Sequence, residues 1–405
     1  MKKPLPKALF DSLTHIKDRK YYLNMQHVKN KKDFMHAHNF LWSYRGSIDT
    51  FTAYRREIEK LLQWTWLIAK KTLPQITKSS FEKYMEFCQK PHKNWIGLYR
   101  TPRFITIKNE RTPNSKWRPF VVTVPKKNFI SIKNLNTSQY KLSKQSLKEI
   151  FAVNQSFYEY LLEHKYVNVN PIAQIRQKTK YFPQKIQKTV VRKLSDLQWS
   201  FVIETAEIMA EENVEYERLL FIMNLLYSLY LRISELTVTY RSEPQMKDFH
   251  QDPEGGWWFK TIGKGNKERS IPVSDALLKS LKRYRKTLDL AALPSPQDEM
   301  PLLSKQKGKG AITSSKTIRN MVQLCFNKTI ERMVEEGFIQ EAESLKSATV
   351  HWLRHTGISN DVKFRPREHV RDDAGHSSSA ITDKYIGVDE RERYLSAKHK
   401  KIKVH

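Results

Sequence analysis

The sequence predicts a mainly α-helical protein of two domains, with a small antiparallel β-sheet in the second. Three observations support this fold class. Apolar residues recur every three to four positions along most of the longer segments, which is the period of an α-helix. One pair of neighbouring segments has strand-forming residues on both sides of a glycine-containing turn. A basic stretch divides the chain of 405 residues, which is long enough for two sizeable cores.

The N-terminal half shows helical periodicity in three places. Helices are predicted over residues 54–65, 80–89 and 147–161. Residues 1–47 are basic and irregular, so no structure is predicted for them. Between residues 91 and 137 prolines interrupt the helical pattern, and a valine-rich run at residues 120–124 predicts a short strand.

Residues 176–193 form a basic segment near the middle of the chain. They contain seven Lys or Arg residues, no acidic residue and little apolar periodicity. We interpret them as a linker between domains. Their charge suits a segment that crosses a phosphate backbone, although an ordinary solvated linker has the same composition.

The second domain is predicted to begin at about residue 194. Ser195 and Gln198 form a capping box, the pattern that starts a helix. The apolar run at residues 219–231 is shorter than the roughly 20 residues that span a bilayer, so it predicts a buried core helix. Strands are predicted at residues 257–262 and 268–273, and further helices at residues 275–287 and 315–345. Glycine and asparagine at residues 263–266 favour a tight turn between the strands.

The charge balance predicts a polyanionic partner. There are 72 Lys and Arg residues against 42 Asp and Glu residues, which gives a net charge of +30. A charge this large disfavours the compact state through self-repulsion unless a partner neutralises it, so nucleic acid is the first interpretation and a solvated basic surface the alternative. The two cysteines, Cys88 and Cys325, suggest neither a disulfide framework nor a zinc site. With no signal peptide recognised, we expect a cytoplasmic protein with reduced core thiols.

Two patches in the second domain each contain one cationic residue whose position has both a structural and a functional interpretation. Arg232 directly follows the very apolar run, and burying a guanidinium costs on the order of several kcal/mol unless it is paired. Glu235 can orient it, and a purely structural Arg–Glu pair is the alternative. Lys264 lies in the predicted turn, where a lysine is usually solvated. A phosphate-binding loop needs a helix after Gly-Lys-Ser/Thr, and a strand follows here, so delivery of one ammonium into a DNA groove is the functional alternative.

Two further patches lie near the C-terminus. His351 and Arg354 are three residues apart and share one face of a helix. Zinc ligation by His351 and His355 is disfavoured, because no Glu follows the first histidine and no third ligand is evident. A lone tyrosine is most often a packing residue, but Tyr385 follows His376 at a spacing of nine residues.

Taken in chain order, these patches resemble the catalytic domain of the tyrosine recombinase (phage integrase) family. Leu-Arg-Ile-Ser-Glu-Leu, Gly-Lys-Gly-Asn-Lys-Glu-Arg, His-x-Leu-Arg-His-Thr and Gly-His-Ser-Ser each look like a family signature. The spacing also fits, with 22 residues from Arg354 to His376 and nine more to Tyr385. The resemblance covers residues 193–390 and extends, on helical pattern, to residues 48–175.

The resemblance implies two domains that clamp duplex DNA. Residues 48–175 would form the helical, SAM-like core-binding domain with an insertion at about residues 91–137, and residues 194–390 the catalytic domain. The remaining ranges are an N-terminal extension (1–47), the basic linker (176–193) and a basic C-terminal tail (391–405). The implied location is the cytoplasm, in association with the nucleoid.

The resemblance also implies a site and a mechanism. Tyr385 would attack the phosphorus and form a 3′-phosphotyrosine with a free 5′-hydroxyl. Arg232 and Arg354 would hold the non-bridging oxygens, because their planar forks match phosphate and stabilise the charge of the transition state.

Three further residues complete the implied site. Lys264 would protonate the leaving 5′-oxygen, and His351 would act on the Tyr385 proton as general base. His376 would donate a hydrogen bond to the phosphate. Since these cations supply the charge that a metal otherwise brings, neither a metal nor a cofactor is expected.

The implied function is site-specific recombination for a mobile genetic element. The partners would be double-stranded DNA and three further copies of the chain in a homotetramer on paired sites, with accessory DNA-bending proteins as further candidates and no membrane. The alternatives are a Xer-like dimer resolvase, a type IB topoisomerase and a non-catalytic DNA-binding protein. An intact set of site residues argues against the last of these.

Overall fold

The computed structural model describes most of the chain, namely residues 4–16, 28–123, 135–175, 192–263, 265–385 and 398. The chain divides into two compact units, residues 1–186 and 187–405. Most of the predicted linker and tail lie outside the described residues, and so does Lys264. No helix in the described ranges is both long and apolar enough to cross a membrane.

The first unit is built from helices that begin at polar capping residues. They are α1 (Lys31–Ser43), α2 (Ile48–Leu67), α3 (Lys78–Gln89) and α4 (Lys144–Glu163). The side chains of Asn30, Ser47, Thr77 and Ser143 each accept a hydrogen bond from the backbone N–H three residues on. Helices α2, α3 and α4 confirm the predicted ones. Helix α4 ends at Glu163, before the Asn170-Pro171 pair.

The N-terminal segment belongs to the core of this unit. Leu9 and Phe10 are buried, and the Phe10 ring stacks on Phe34 of α1 with 4.9 Å between the ring centroids. Helix α1 was not predicted, although Phe34, Ala37 and Leu41 lie on one face of it. Residues 1–47, for which no structure was predicted, thus include a helix and a buried segment within the described ranges.

The predicted insertion forms two small β-ladders. Strands β1 (Ile96–Gly97) and β4 (Phe120–Val121) pair in parallel, so the predicted strand at residues 120–124 is shorter than expected. Strands β2 (Phe104–Ile107) and β3 (Glu110–Pro113) form an antiparallel hairpin. The Arg111 guanidinium ties this hairpin to the N-terminal segment through two hydrogen bonds of 2.8 Å to the Asp11 carboxylate.

The second unit is mainly helical. Its helices are α5 (Asp196–Glu212), α6 (Glu217–Ser228), α7 (Asp275–Lys286), α8 (Ser315–Glu335), α9 (Ile339–Leu345), α10 (Val350–Asp361), α11 (Arg367–Ala374) and α12 (Ser379–Thr382). Helix α6 is the central apolar helix and contacts α5, α7 and α10. At Gly357 of α10, a Cβ would overlap with the Tyr227 carbonyl oxygen of α6, so the two helices pack closely only with glycine there. The helical structure predicted over residues 315–345 divides into α8 and α9, because the chain turns at Gly337, which has φ 85°.

An antiparallel sheet within the described residues of the second unit confirms the predicted fold class. Strands β5 (Phe249–Gln251), β6 (Trp257–Ile262) and β7 (Glu268–Pro272) lie in that order, and β5 was not predicted. The turn between β6 and β7 has Gly265 at φ 78° and Asn266 at φ 57°, as their residue types predict. Ser195 and Gln198 form the predicted capping box.

Candidate active site

Five of the six predicted site residues meet in one cavity of the second unit. Arg232, His351, Arg354, His376 and Tyr385 line this cavity, whose volume is about 880 Å³. The sixth residue lies outside the described ranges, but its two neighbours in the turn, both glycines, line the same cavity. The cavity is therefore assembled from the end of α6, the β6–β7 turn and the helices from α10 onward.

Arg354 is fixed by the way the chain leaves α6. Tyr230 has φ 48°, and its carbonyl oxygen accepts a hydrogen bond from Arg354 Nη1. Arg354 Nη2 donates to the Ala374 carbonyl oxygen at the end of α11, at 2.5 Å. The side chain is buried, and burial with the nearby charge of Arg232 lowers its pKa to about 9. The guanidinium therefore remains charged at neutral pH and is held from two elements at once.

Glu235 holds a pair of arginines at the rim of the same cavity. Its carboxylate accepts from the Arg232 backbone N–H at 2.9 Å and from Arg232 Nη1 at 3.0 Å. It also accepts from Arg269 Nη1 at 3.1 Å and Nη2 at 2.8 Å. Burial alone would raise the pKa of Glu235, but these arginines hold it below its ordinary value. The predicted Arg232–Glu235 pair exists, and Arg232 still faces the cavity.

Sequence reasoning missed Arg269. Its Nε donates to the Asp373 carbonyl oxygen at 2.9 Å, so it links β7 to α11 as well as to Glu235. A signal was present in the alternation of β7, where Arg269 shares the inward face with buried Ile271. A charged residue at an inward strand position needs a buried partner, which is what Glu235 supplies.

His376 is oriented by a hydroxyl that the sequence did not single out. Its Nδ1 lies 2.9 Å from Thr382 Oγ1, and its ring stacks on the Tyr385 ring at 5.6 Å between centroids. Burial and the charges of Arg354 and Arg232 lower the His376 pKa to about 4, so the ring is neutral at pH 7. A neutral ring that accepts from Thr382 through Nδ1 carries its proton on Nε2 and can donate it to an anion.

The hydroxyl of Tyr385 contacts a histidine other than the one expected. Its Oη lies 2.5 Å from His355 Nδ1, whereas His351 packs edge-on against the His355 ring with 4.2 Å between centroids. Burial, His351 and Arg354 lower the His355 pKa to about 3. Burial raises the pKa of Tyr385, and Arg354 and Arg232 act against that rise. The contact predicted for His351 is thus made by His355, which sequence reasoning considered only as a zinc ligand.

No group of three His, Cys, Asp or Glu residues is placed to hold a metal ion within the described part of the chain. Both cysteines are buried thiols.

The cavity lies within a region that matches a known family. Residues 202–392 match the model of the phage integrase family. Among curated proteins, tyrosine recombinase XerC of Haemophilus ducreyi is 27% identical over 252 residues, covering 61% of this chain and 70% of the relative. XerD of Staphylococcus saprophyticus is 27% identical over 251 residues, covering 61% and 72%.

Solved structures with the same fold cover almost the whole chain. The XerH site-specific recombinase bound to palindromic difH substrate has a TM-score of 0.56 at 14% identity, covering 92% of this chain and 90% of that one. The Tn1549 transposon integrase in complex with a circular intermediate DNA has a TM-score of 0.52 at 12% identity, covering 90% and 98%. The family match and the curated relatives show that residues 202–392 belong to the phage integrase family of tyrosine recombinases.

Proposed function

We propose that this site-specific recombinase breaks and rejoins duplex DNA through a 3′-phosphotyrosine on Tyr385. The observation that carries the proposal is the position of the Tyr385 hydroxyl in one cavity with two arginines and a hydrogen-bonding histidine. In this step the phenolic oxygen forms a bond to phosphorus while the bond from phosphorus to the 5′-oxygen breaks. The covalent phosphodiester conserves the bond energy, so rejoining needs no nucleotide.

Arg232 and Arg354 are proposed to hold the non-bridging oxygens. Each guanidinium is fixed before any substrate arrives, Arg354 by two carbonyl oxygens and Arg232 by the Glu235 carboxylate. Donors that are fixed in advance stabilise the negative charge of a five-coordinate phosphorus without reorganising at the moment of reaction. A single missing donor of this kind costs about 10²–10³ in rate.

The remaining roles concern protons. His376, neutral and held by Thr382, is proposed to donate a further hydrogen bond to the phosphate. Lys264 is proposed as the general acid for the 5′-oxygen, because the turn that carries it borders the cavity through Gly263 and Gly265. Family resemblance implies His351 as the general base for the Tyr385 proton.

We further propose that the substrate is a pair of duplex DNA sites and that four copies of the chain act together, with accessory proteins where sites must be bent.

A mobile-element integrase is favoured over a dimer resolvase by the N-terminal segment and the small sheets inserted in the first unit. The likeness to a transposon integrase agrees with this. Attachment repeats beside the gene would support an element. Relaxation of supercoiled DNA without strand exchange between sites would instead favour a topoisomerase.

The test of the proposed function is the covalent adduct itself. Tyr385→Phe is expected to keep DNA binding and to form no adduct with a nicked suicide substrate on a denaturing gel, because the nucleophilic oxygen is removed. Tyr240→Phe is the matched control, since Tyr240 is an exposed tyrosine of the same unit. A full-strength adduct in Tyr385→Phe would place the nucleophile elsewhere.

A further inference from the structure

We propose that His355, rather than His351, takes the hydroxyl proton of Tyr385 when its oxygen attacks phosphorus. The inference rests on the proposed function, in which Tyr385 is the nucleophile. Its geometric basis is the 2.5 Å contact between His355 Nδ1 and Tyr385 Oη. A general base must lie within hydrogen-bonding reach of the proton that it removes, and His355 fulfils this condition.

His355 is held in place by both of its neighbours on α10. The preceding Arg354 is anchored to the carbonyl oxygens of Tyr230 and Ala374. The following Thr356 is fully buried, and its hydroxyl oxygen accepts from the Leu194 N–H at 3.0 Å and donates to the Trp352 carbonyl oxygen at 2.7 Å. The backbone that carries the His355 ring therefore has little freedom to move away from the phenol.

The direction of the hydrogen bond follows from the protonation states. The pKa of His355 is about 3 and that of Tyr385 is raised, so at pH 7 the ring is neutral and the phenol carries its proton. The O–H of Tyr385 therefore donates to the lone pair on His355 Nδ1, and the ring proton lies on Nε2. This is the arrangement from which a proton moves from oxygen to nitrogen without rotation of either side chain.

Substrate binding makes this base stronger. Burial and the positive charges of the neighbouring side chains, among them Arg354, keep the pKa of His355 low. A phosphodiester bound to Arg354 and Arg232 brings a negative charge that offsets this repulsion, so the pKa of His355 rises when the nucleophile is needed. Without a bound phosphate, burial and the same charges keep the ring a weak base, and burial keeps the phenol protonated.

The step balances in atoms and charge. The O–H bond of Tyr385 breaks, its proton goes to His355 Nδ1, and the freed electron pair forms the bond between Oη and phosphorus. The bond from phosphorus to the 5′-oxygen breaks, and that oxygen takes its proton from the general acid, proposed as Lys264. In the rejoining step the His355 imidazolium returns its proton to the departing phenolate.

The contact can be measured without any reaction. A single 3-fluorotyrosine placed at position 385 of the full chain gives one ¹⁹F resonance, and its pH titration reports the pKa of the phenol. We expect His355→Asn to shift both the resonance and the titration. His369→Asn, which alters an exposed histidine of α11, is expected to shift neither. An unchanged resonance in His355→Asn would overturn the contact and the proposal with it.

The role is tested by single-turnover formation of the covalent adduct. His355→Asn places an amide atom where Nδ1 lies, so it can keep a hydrogen bond to the phenol but cannot hold the proton. We expect a fall in rate of about 10²–10⁴, the usual contribution of general-base catalysis. Difluorotyrosine at position 385 should restore much of this loss, because its phenol ionises more readily. A substrate with sulfur at the 5′-bridging position should not restore it.

His351→Asn separates this proposal from the earlier assignment. If His351 were the base, its variant would show the rescue by difluorotyrosine and His355→Asn would not, and this result would overturn the proposal. A His355→Asn rate equal to that of the wild type would overturn it as well. His355→Gln is a second variant, and each is checked by its melting temperature and DNA affinity. Absence of an adduct in the wild type would instead refute the proposed function.

Discussion

Replacing Glu235 by glutamine should destabilise the second unit strongly and for an electrostatic reason. The substitution keeps the shape of the side chain but removes the buried charge that lies between Arg232 and Arg269. The Arg269 side chain is only 9% exposed and the Glu235 side chain 3%, so water cannot replace the carboxylate there. Two guanidiniums would then remain close together without an anion between them.

The magnitude follows from these exposures. Removing one partner of a buried ion pair costs about 3–5 kcal/mol. Because 29% of the Arg232 side chain is exposed and can be solvated, we expect a loss of about 3 kcal/mol, at the lower end of that range. For a unit of this size, each kcal/mol lowers the melting temperature by about 2–4 °C, so the expected fall is about 6–12 °C.

Hydrogen-exchange mass spectrometry is the suitable assay, because it reports the free energy of opening for each unit of the full chain separately. The control is Glu268→Gln, whose partner Lys260 is half exposed, so its ion pair should contribute about 0–1 kcal/mol. Since the folded pKa of Glu235 lies below its ordinary value of 4.5, its contribution is complete above that pH and is lost as the pH falls through the folded value. A change below 1 kcal/mol at pH 7, or equal losses in both variants, would refute this reasoning.

Three further predictions concern DNA cleavage and binding. Excess EDTA should leave single-turnover cleavage unchanged, because the proposed cations supply the charge on the phosphate, and a strict requirement for Mg²⁺ would contradict this. DNA affinity should fall steeply with salt, with a log–log slope of about −0.9 for each neutralised phosphate, and a slope near zero would mean that the net charge of +30 serves another purpose. Lys264→Ala should be slowed by about 10²–10⁴ on normal DNA and recover with a 5′-bridging sulfur, whereas Arg354→Ala should not recover. Rescue of Lys267→Ala in place of Lys264→Ala would make Lys267 the general acid.

Much of the second unit could be predicted because its signals come from residues that are close together in the sequence. The capping box of Ser195 and Gln198 and the turn at Gly265 and Asn266 depend on neighbouring residues alone. The period of the apolar run likewise predicts the buried helix α6. Five predicted site residues also meet in one cavity. Their order in the chain predicted this grouping only through the family resemblance.

What the sequence did not reveal depends on contacts between distant residues. The partner of Glu235 that completes the ion cluster is Arg269, on another element. Sequence reasoning considered His355 only as a zinc ligand, because Tyr385, whose hydroxyl contacts its ring, lies 30 residues farther along the chain. Phe10 likewise belongs to the first core because it stacks on Phe34, and the irregular pattern around it gave no sign of this. Periodicity reports which face of an element is buried but not what covers that face.

Tyr230 shows how the hydrophobic core and the candidate active-site cavity are physically joined. A left-handed conformation at a bulky residue costs about 1–2 kcal/mol, and Tyr230 has φ 48°. The phenol offsets this cost by hydrogen bonds with Asp361 and Arg365. The same conformation turns the Tyr230 carbonyl oxygen toward Arg354. Because Arg365 also pairs with Asp373 of α11, the turn after α6 is tied to α10 and α11, and residues of both helices line the cavity. Stability and the position of Arg354 therefore depend on the same strained residue, which local sequence rules alone would not place there.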